Sequence, residues 1–381
     1  MAEKTVRKKR TPKNNGIDVP FLTIIVIMLC FGLIMVFSAS YPSAFYRQGD
    51  QFYYIKRQLL WSVCGFAAMF FVSNINYKII KKWATVFAGV SFLLIVLVRF
   101  VGSAGGGAQR WLAIGPVRFQ PSEIAKFALI FYFAKRIAEK PRGHMEDFKS
   151  GLLPYLLILG AFCGVFILQD HLSAAVVTFL ALVIVIYIGG AKISHFIGVG
   201  IAGIALLAPF AYFERYRLER LIAFIDPFKY ISDEGWQIVQ GLYAIGSGGL
   251  FGRGLGQSRQ KFLYVPEAHN DYIYAILCEE LGLIGAMLVA VLFIALITRG
   301  ITIAMHAPDT FSSLAVYGII SLVGLQYLIN VGVVTAWLPN TGMQLPFFSA
   351  GGTSLIFIMA AMGFVLNVSK HMKEIPNKLT K

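Results

Sequence analysis

The chain has 381 residues, of which 57% are hydrophobic and 14% charged, with a mean hydropathy of +0.69. Soluble domains carry about 25% charged residues, so a water-soluble enzyme of one or two domains is excluded and the chain belongs in a bilayer. The formal net charge of +15 does not call for nucleic acid, because excess cation in a membrane protein marks its cytoplasmic loops.

Residues 1–19 read as a basic cytoplasmic tail. Apolar runs of about 18 to 20 residues, enough to cross the hydrocarbon core, then recur at 20–38, 84–101, 151–168, 172–190, 196–213, 281–298 and 311–334. Weaker runs, shorter or interrupted by charge, lie at 58–73, 122–135 and 351–369, and residues 272–278 extend the 281–298 run backwards through Glu279 and Glu280. The pattern predicts an all-α polytopic integral membrane protein with a single ten-helix domain over 20–369, a large outer loop at 214–271 between helices 7 and 8, and a C-terminal tail at 370–381. Segment 20–38 lacks a small-x-small cleavage site with a polar exit, so it is expected to be retained.

Alternate connections hold unequal numbers of basic residues. With the N-terminus inside, 20 of the 34 Lys and Arg fall in cytoplasmic segments against 5 in the short outer loops, which predicts both termini in the cytoplasm. Trp61, Trp83, Trp111 and Trp337 fall near the predicted interfaces, where an aromatic belt is expected. The four cysteines lie inside apolar runs without CxxC spacing and read as small core residues. The six histidines are scattered, with no HExxH, so no structural metal site is indicated.

Polar residues at span mouths carry most of the information in such a chain. The first cluster is Arg110-Trp111 followed by Gln120-Pro121-Ser122-Glu123 and Lys126. Pro121 opens a helix, and Glu123 and Lys126 share one face at i, i+3. They form either a local ion pair in a capped helix or the lining of a polar cavity. The second cluster, Gln169-Asp170-His171, is a short connector between two spans. The third runs from Arg215, Arg217, Glu219 and Arg220 through the glycine-rich stretch Gly246–Gly256 with Arg253, to Glu267, His269, Asn270 and Asp271. The stretch lacks the Gly-Lys-Ser/Thr ending of a P-loop. It reads either as a mobile loop or as a set of backbone N–H groups presented to an anion beside Arg253. Asp271 is a candidate general base; the alternative is a helix N-cap formed by Asn270 or Asp271. The fourth cluster, Leu338-Pro339-Asn340-Thr341-Gly342 to Leu345-Pro346-Phe347, Ser349 and Gly351-Gly352-Thr353-Ser354, is an uncharged loop that predicts a re-entrant segment.

These clusters, in this order on ten spans, resemble the FtsW/RodA/SpoVE family (shape, elongation, division and sporulation proteins), from Ser38-Ala39-Ser40 to Gly363. The most specific pieces are Arg110-Trp111 with Gln120-Pro-Ser-Glu123-x-x-Lys126, the stretch Ala244–Gly256, Pro266-Glu-Ala-His-Asn-Asp271, Glu279-Glu-Leu-Gly282 and Pro339-x-Thr-Gly-x-x-Leu-Pro-Phe-x-Ser-x-Gly-Gly352. The resemblance implies a peptidoglycan glycosyltransferase that polymerises lipid II at the outer face of the bacterial plasma membrane. It implies as partners a class B penicillin-binding protein transpeptidase and other divisome proteins. The acidic residue of the family's His-x-Asp motif falls on Asp271. The family's Gln-Pro-Asp-Leu-Gly is replaced here by Gln169-Asp170-His171-Leu172-Ser173, which shifts the acidic side chain by one position; His171 is similar to a His variant of some sporulation and division members, which tilts the resemblance towards FtsW and SpoVE, a septal role in division or sporulation.

On this reading Asp271 takes the proton from the acceptor GlcNAc 4-hydroxyl, which attacks C1 of the donor MurNAc and expels undecaprenyl pyrophosphate. Arg110, Lys126, Arg215, Arg217 and Arg253 are candidates to meet the departing charge, with a divalent cation, Mg or Mn, as a candidate assistant and no organic cofactor. Glu123, Gln169, Glu267, His269 and Ser349 complete the candidate substrate-binding set. Two rivals remain: a lipid II flippase, which also predicts intramembrane charge at Glu123, Lys126, Glu279 and Glu280, and a non-catalytic division scaffold.

Overall fold

The computed structural model describes residues 16–105, 108–115, 117–141, 143–198, 200, 224–231 and 235–372. The described helices are α1 (Val19–Gln48), α2 (Tyr53–Asn74), α3 (Tyr77–Val101), α4 (Pro121–Ala138), α5 (Leu153–Leu168), α6 (Leu172–Ile188), α7 (Trp236–Gly248), α8 (Ile273–Met305), α9 (Thr310–Val334) and α10 (Gly352–Ser369). One π-helical turn, Phe148–Leu152, leads into α5. Seven helical stretches among the described residues are long and apolar enough to cross a membrane: α1, α2, α3, Phe148–Leu168, α8, α9 and α10. The expected spans 122–135 and 172–190 correspond to α4 and α6. The first carries Glu123, Lys126, Lys135 and Arg136, and the second is 17 residues long. The expected span 196–213 lies largely outside the described residues.

Packing turns the soluble-protein pattern inside out. Helix α2 buries Gln58, Ser62, Gly65, Met69 and Ser73 at helical spacing, while Val63 and Phe71, like Leu93 and Phe100 on α3, face outwards. Apolar residues on the outside and small or polar ones on the seam are what a lipid solvent favours. The seam is tight: a Cβ added at Gly363 of α10 would lie 2.3 Å from the Met69 carbonyl oxygen, so α2 and α10 meet at a separation only glycine allows.

At the end of the bundle away from Asp271, one carboxylate ties three helices. Asp18 caps α1 through Phe21 N at 3.0 Å, accepts a forked pair from Arg299 of α8, and donates its own N–H to Ser369 of α10. Helix α8 thus continues past the expected end at 298, with Arg299 inside it rather than in a loop.

Three expectations need correction. The fold is not purely α. Strands β1 (Ser103–Gly105), β2 (Ala108–Ile114) and β3 (Val117–Phe119) form a small antiparallel sheet of order β1-β2-β3 between α3 and α4. Gly115, at φ 59°, takes the left-handed conformation that turns β2 into β3, with Leu112 opposite Phe119. The first span does not stop near Ser38 but runs to Gln48 through Pro42, ending on Gly49 at φ 70°.

The third correction concerns the 214–271 segment, whose described second half is not loop throughout but holds helix α7. Helix α7 descends alongside α8: Gly241 abuts Tyr272, and Gly248 abuts the Cys278 carbonyl. The glycine-rich turn then crosses α8 at a break in that helix, where Gly282 has φ 64° and ψ −161°. Breaking a helix orphans carbonyls before the break and N–H groups after it. The turn satisfies both sets. Arg253 N and Gly254 N donate to the carbonyls of Glu279 and Glu280, and Leu283 N and Ile284 N donate to Gly249 and Leu250. Irregular backbone at membrane depth is tolerated on such terms.

Candidate functional site

Asp271 stands where the chain, having returned from the glycine-rich turn, enters α8. The helix N-cap is Tyr272, and no side chain caps it, so neither Asn270 nor Asp271 plays the capping role that competed with catalysis in the sequence. Among the described residues the Asp271 carboxylate has no hydrogen bond or ion pair. Burial, then the neighbouring Glu267 carboxylate, push it up to about 6, and Arg110 opposes them. It is a base poised close to neutrality.

The backbone around it is fixed from several sides. Asn330 of α9 donates through Nδ2 to the carbonyls of Asp271 at 2.8 Å and Met343 at 2.6 Å. Ser349 Oγ donates to Asn270 O at 2.7 Å and accepts from Leu345 N. Ala350 N donates to His269 O, and Gln58 Nε2 donates to Ser349 O. The α9–α10 loop is therefore a brace for the 269–271 backbone. Gly342, at φ 63°, lies so close that a Cβ there would sit 3.2 Å from Asp271 Oδ2.

His269 is buried, with its ring 4.3 Å from that of Tyr54. Burial holds it below the usual histidine range; Glu267 acts against this and Arg47 with it. Glu267 is exposed, adopts φ 52° and accepts from Asn270 Nδ2 at 2.5 Å. A cavity of about 30 Å³ beside it is lined by Ser43, Arg47, Lys261, Glu267 and His269, among others.

Opposite Asp271, β2 carries Arg110. Its guanidinium donates to the carbonyls of Gln169 at 3.4 Å and Asp170 at 2.5 Å, so the sheet docks on the α5–α6 connection. Gln169 is buried and bonded to the Ile95 carbonyl of α3, which makes it a strut. In α4, Lys126 pairs with Glu123 at 2.7 Å, both largely buried, and Ser354 of α10 reaches Glu123 Oε2 at 3.4 Å. His171 lies 3.4 Å from Gln120. Burial, with the Arg110 and Lys126 charges, drives it well below the usual range. A neutral imidazole thus sits in the field of two cations, one of which also acts on Asp271.

The structure separates Arg253 from this group. It is tied to Glu279 at 3.8 Å and to the Ser247 carbonyl, some eight helical residues or about 12 Å along α8 from Asp271. The N–H groups of Gly252, Arg253 and Gly254, for which the sequence left open either a mobile loop or an anion site, donate to carbonyls of Gly248, Glu279 and Glu280. Arg215 and Arg217 lie outside the described residues. For a metal the fit is poor: among the described residues no three His, Cys, Asp or Glu side chains converge as ligands.

Asn330, Gln58, Tyr54 and Arg47 escaped the sequence reading. Asn330 and Gln58 did carry a signal, as amides inside spans that have no reason to keep polar side chains. Arg47 carries no such signal, since in the sequence it is one of three basic residues in a short outer connection.

Comparison with known proteins identifies the family. The family described as "Cell cycle protein" (FtsW/RodA/SpoVE) matches residues 20–374. The chain belongs to the FtsW/RodA/SpoVE family. A relative from a Geobacter species named probable peptidoglycan glycosyltransferase FtsW is 40% identical over 94% of this chain and 98% of its own. Stage V sporulation protein E of Bacillus subtilis is 40% identical over 95% and 100%. Among solved structures, a chain from work described as structural coordination of polymerization and crosslinking by a peptidoglycan synthase complex superposes with TM-score 0.78 at 26% identity, over 95% of this chain and 100% of that one. The rod shape determining protein RodA of Thermus thermophilus gives 0.71 at 26% identity, over 95% and 99%. The fold shared with these solved structures therefore extends over nearly the whole chain.

Proposed function

We propose that this chain is a peptidoglycan glycosyltransferase that polymerises lipid II at the outer face of the bacterial plasma membrane, with both termini in the cytoplasm and ten spans. The observation that carries the reading is the Asp271 carboxylate: raised to about 6, without a hydrogen bond among the described residues, and held by a braced backbone. A structural carboxylate is paired; one left unpaired beside Arg110 is available to a substrate hydroxyl. Asp271 takes the proton of the acceptor GlcNAc 4-hydroxyl as that oxygen forms a bond to C1 of the donor MurNAc, and the C1–O bond to undecaprenyl pyrophosphate breaks. Arg110 supplies positive charge near the departing pyrophosphate. With no three-ligand cluster among the described residues, no step is assigned to a metal.

The names of the relatives support the activity, and the cell-cycle family and the sporulation relative support a septal role in division or sporulation; the likeness to a chain of a synthase complex that coordinates polymerization and crosslinking supports a class B penicillin-binding protein as transpeptidase partner. The intramembrane charges that favoured a flippase are spent internally: Glu123 on Lys126, Glu279 on Ser258 and Arg253, and Glu280 on Lys261 and Ser38. The test is polymerisation of lipid II by the purified chain with its transpeptidase, run beside lipid II translocation in liposomes. Glycan strands from the native chain and none from Asp271→Ala are expected. Normal polymerisation by Asp271→Ala would sink the assignment, and translocation without polymerisation would favour the flippase.

A further inference from the structure

The strongest buried electrostatic group outside the site lies at the break in α8. Lys261 Nζ bonds Glu280 Oε1 at 2.8 Å, Gly256 O at 2.7 Å and Ser38 Oγ at 3.2 Å, 5.2 Å from the centre of the Tyr41 ring. Ser38 also donates to both Glu280 oxygens at 2.7 Å. Both members of the ion pair have side chains 0% exposed.

A buried ion pair is a poor way to add stability, because desolvation consumes most of the attraction and an apolar pair of similar volume does as well or better. What it supplies is a unique alignment, since a slip of the chain would strand two charges in a dry interior. The alignment fixed here has a definite content. Lys261 and Glu280 are 19 residues apart in sequence, and Asp271 falls at the middle of the loop they close. From Glu280 the loop follows the stretch of α8 that precedes the break at Gly282 up to Asp271. From Lys261 it passes Phe262, packed on Tyr41, and then Glu267 and His269, which share one small cavity with Lys261 itself.

We infer that the Lys261–Glu280 pair, with Ser38 of α1, is a buried clasp that closes the 261–280 loop and makes Lys261 a positioning residue for Asp271. The inference rests on Asp271 as the reacting carboxylate, but the clasp itself is a structural statement that can be checked without substrate. Tying Lys261 to Glu280 fixes the two ends of this loop, the helical stretch from Ile273 to Glu280 carries that restraint to Asp271, and a small misplacement of a general base is costly in rate.

The experiment compares full-length native chain, Lys261→Met and Lys261→Arg, purified with the transpeptidase partner. Two readouts are taken: lipid II polymerisation kinetics, and amide hydrogen exchange over residues 262–271. Lys261→Met is expected to lower kcat about tenfold or more with KM changed by no more than about twofold, and to speed exchange over 262–271 but not over 310–334. Lys261→Arg, which keeps the charge, is expected to restore both. Should Lys261→Met fail to fold, Ser38→Ala, which removes one donor to Glu280 and leaves the ion pair, is expected to give the same pattern at smaller amplitude. Unchanged exchange in these variants overturns the clasp, as does a folded Lys261→Met protein with native kcat. If exchange quickens as expected while the native chain makes no glycan, the clasp stands and the glycosyltransferase reading falls.

Discussion

Asn330, buried in α9, donates a hydrogen bond of 2.8 Å to the main-chain carbonyl of Asp271 and a second of 2.6 Å to that of Met343. One amide thus joins the entrance of α8 to the α9–α10 loop and sets where the Asp271 backbone sits. Replacing it by Ala leaves two carbonyls without this donor, at a cost of about 1–3 kcal/mol. Asn330→Ala is expected to lower the unfolding temperature in detergent and to reduce kcat for lipid II polymerisation about tenfold or more.

The pH profile follows from the charges around Asp271. The base works ionised, so activity is expected to fall by about tenfold per pH unit below about 6. Glu267 raises that midpoint and Arg110 lowers it. Glu267→Gln therefore moves the acidic limb to lower pH, and Arg110→Met moves it to higher pH. Initial rates of glycan synthesis between pH 5 and 8, at lipid II well below KM so that kcat/KM reports the free protein, read both shifts; opposite signs would contradict the assignment of Asp271 as base.

Stability and function are opposed at the same residue. Because the folded chain holds the Asp271 proton more tightly than an unfolded one, the contribution is favourable at low pH and is lost as pH rises through about 6. Above that pH the folded protein carries an ionised, poorly solvated carboxylate at a cost of about 1–3 kcal/mol. Asp271→Asn is expected to abolish polymerisation while raising the unfolding temperature at pH 7.5, and this gain is expected to vanish near pH 4. Thermal unfolding at the two pH values checks it.

Gly342 approaches the carboxylate in a conformation that an L side chain rarely takes, φ 63°. Gly342→Ala costs about 1–2 kcal/mol in backbone strain and puts a methyl group against Asp271 Oδ2. A marked loss of kcat with a modest loss of stability is expected, measured by the same polymerisation and unfolding assays.

The spans were legible because lipid leaves a plain mark, and nine of the ten apolar runs coincide with described helices. Asp271, at a span mouth, was legible for the complementary reason that a carboxylate there has to be explained. Tertiary bonding was not legible. The glycine-rich turn looks polar and loop-like because hydropathy counts side chains, whereas its task is performed by backbone groups bonded across the break at Gly282. Arg253 carries the same charge whether it meets a substrate or Glu279, and only the fold decides. Gln169 and Ser349 have the chemistry of ligand contacts and the geometry of struts.

The break at Gly282 means that α8, continuous in sequence, is mechanically two rods. The lower one, through Arg299 and Asp18, is riveted to α1 and α10 at the far end of the bundle. The upper one is stitched to the glycine-rich turn and carries the reacting carboxylate at its tip. The entry of α8 is thus held by the glycine-rich turn and the α9–α10 loop, its exit by α1 and α10, and Gly282 stands between the two sets of anchors.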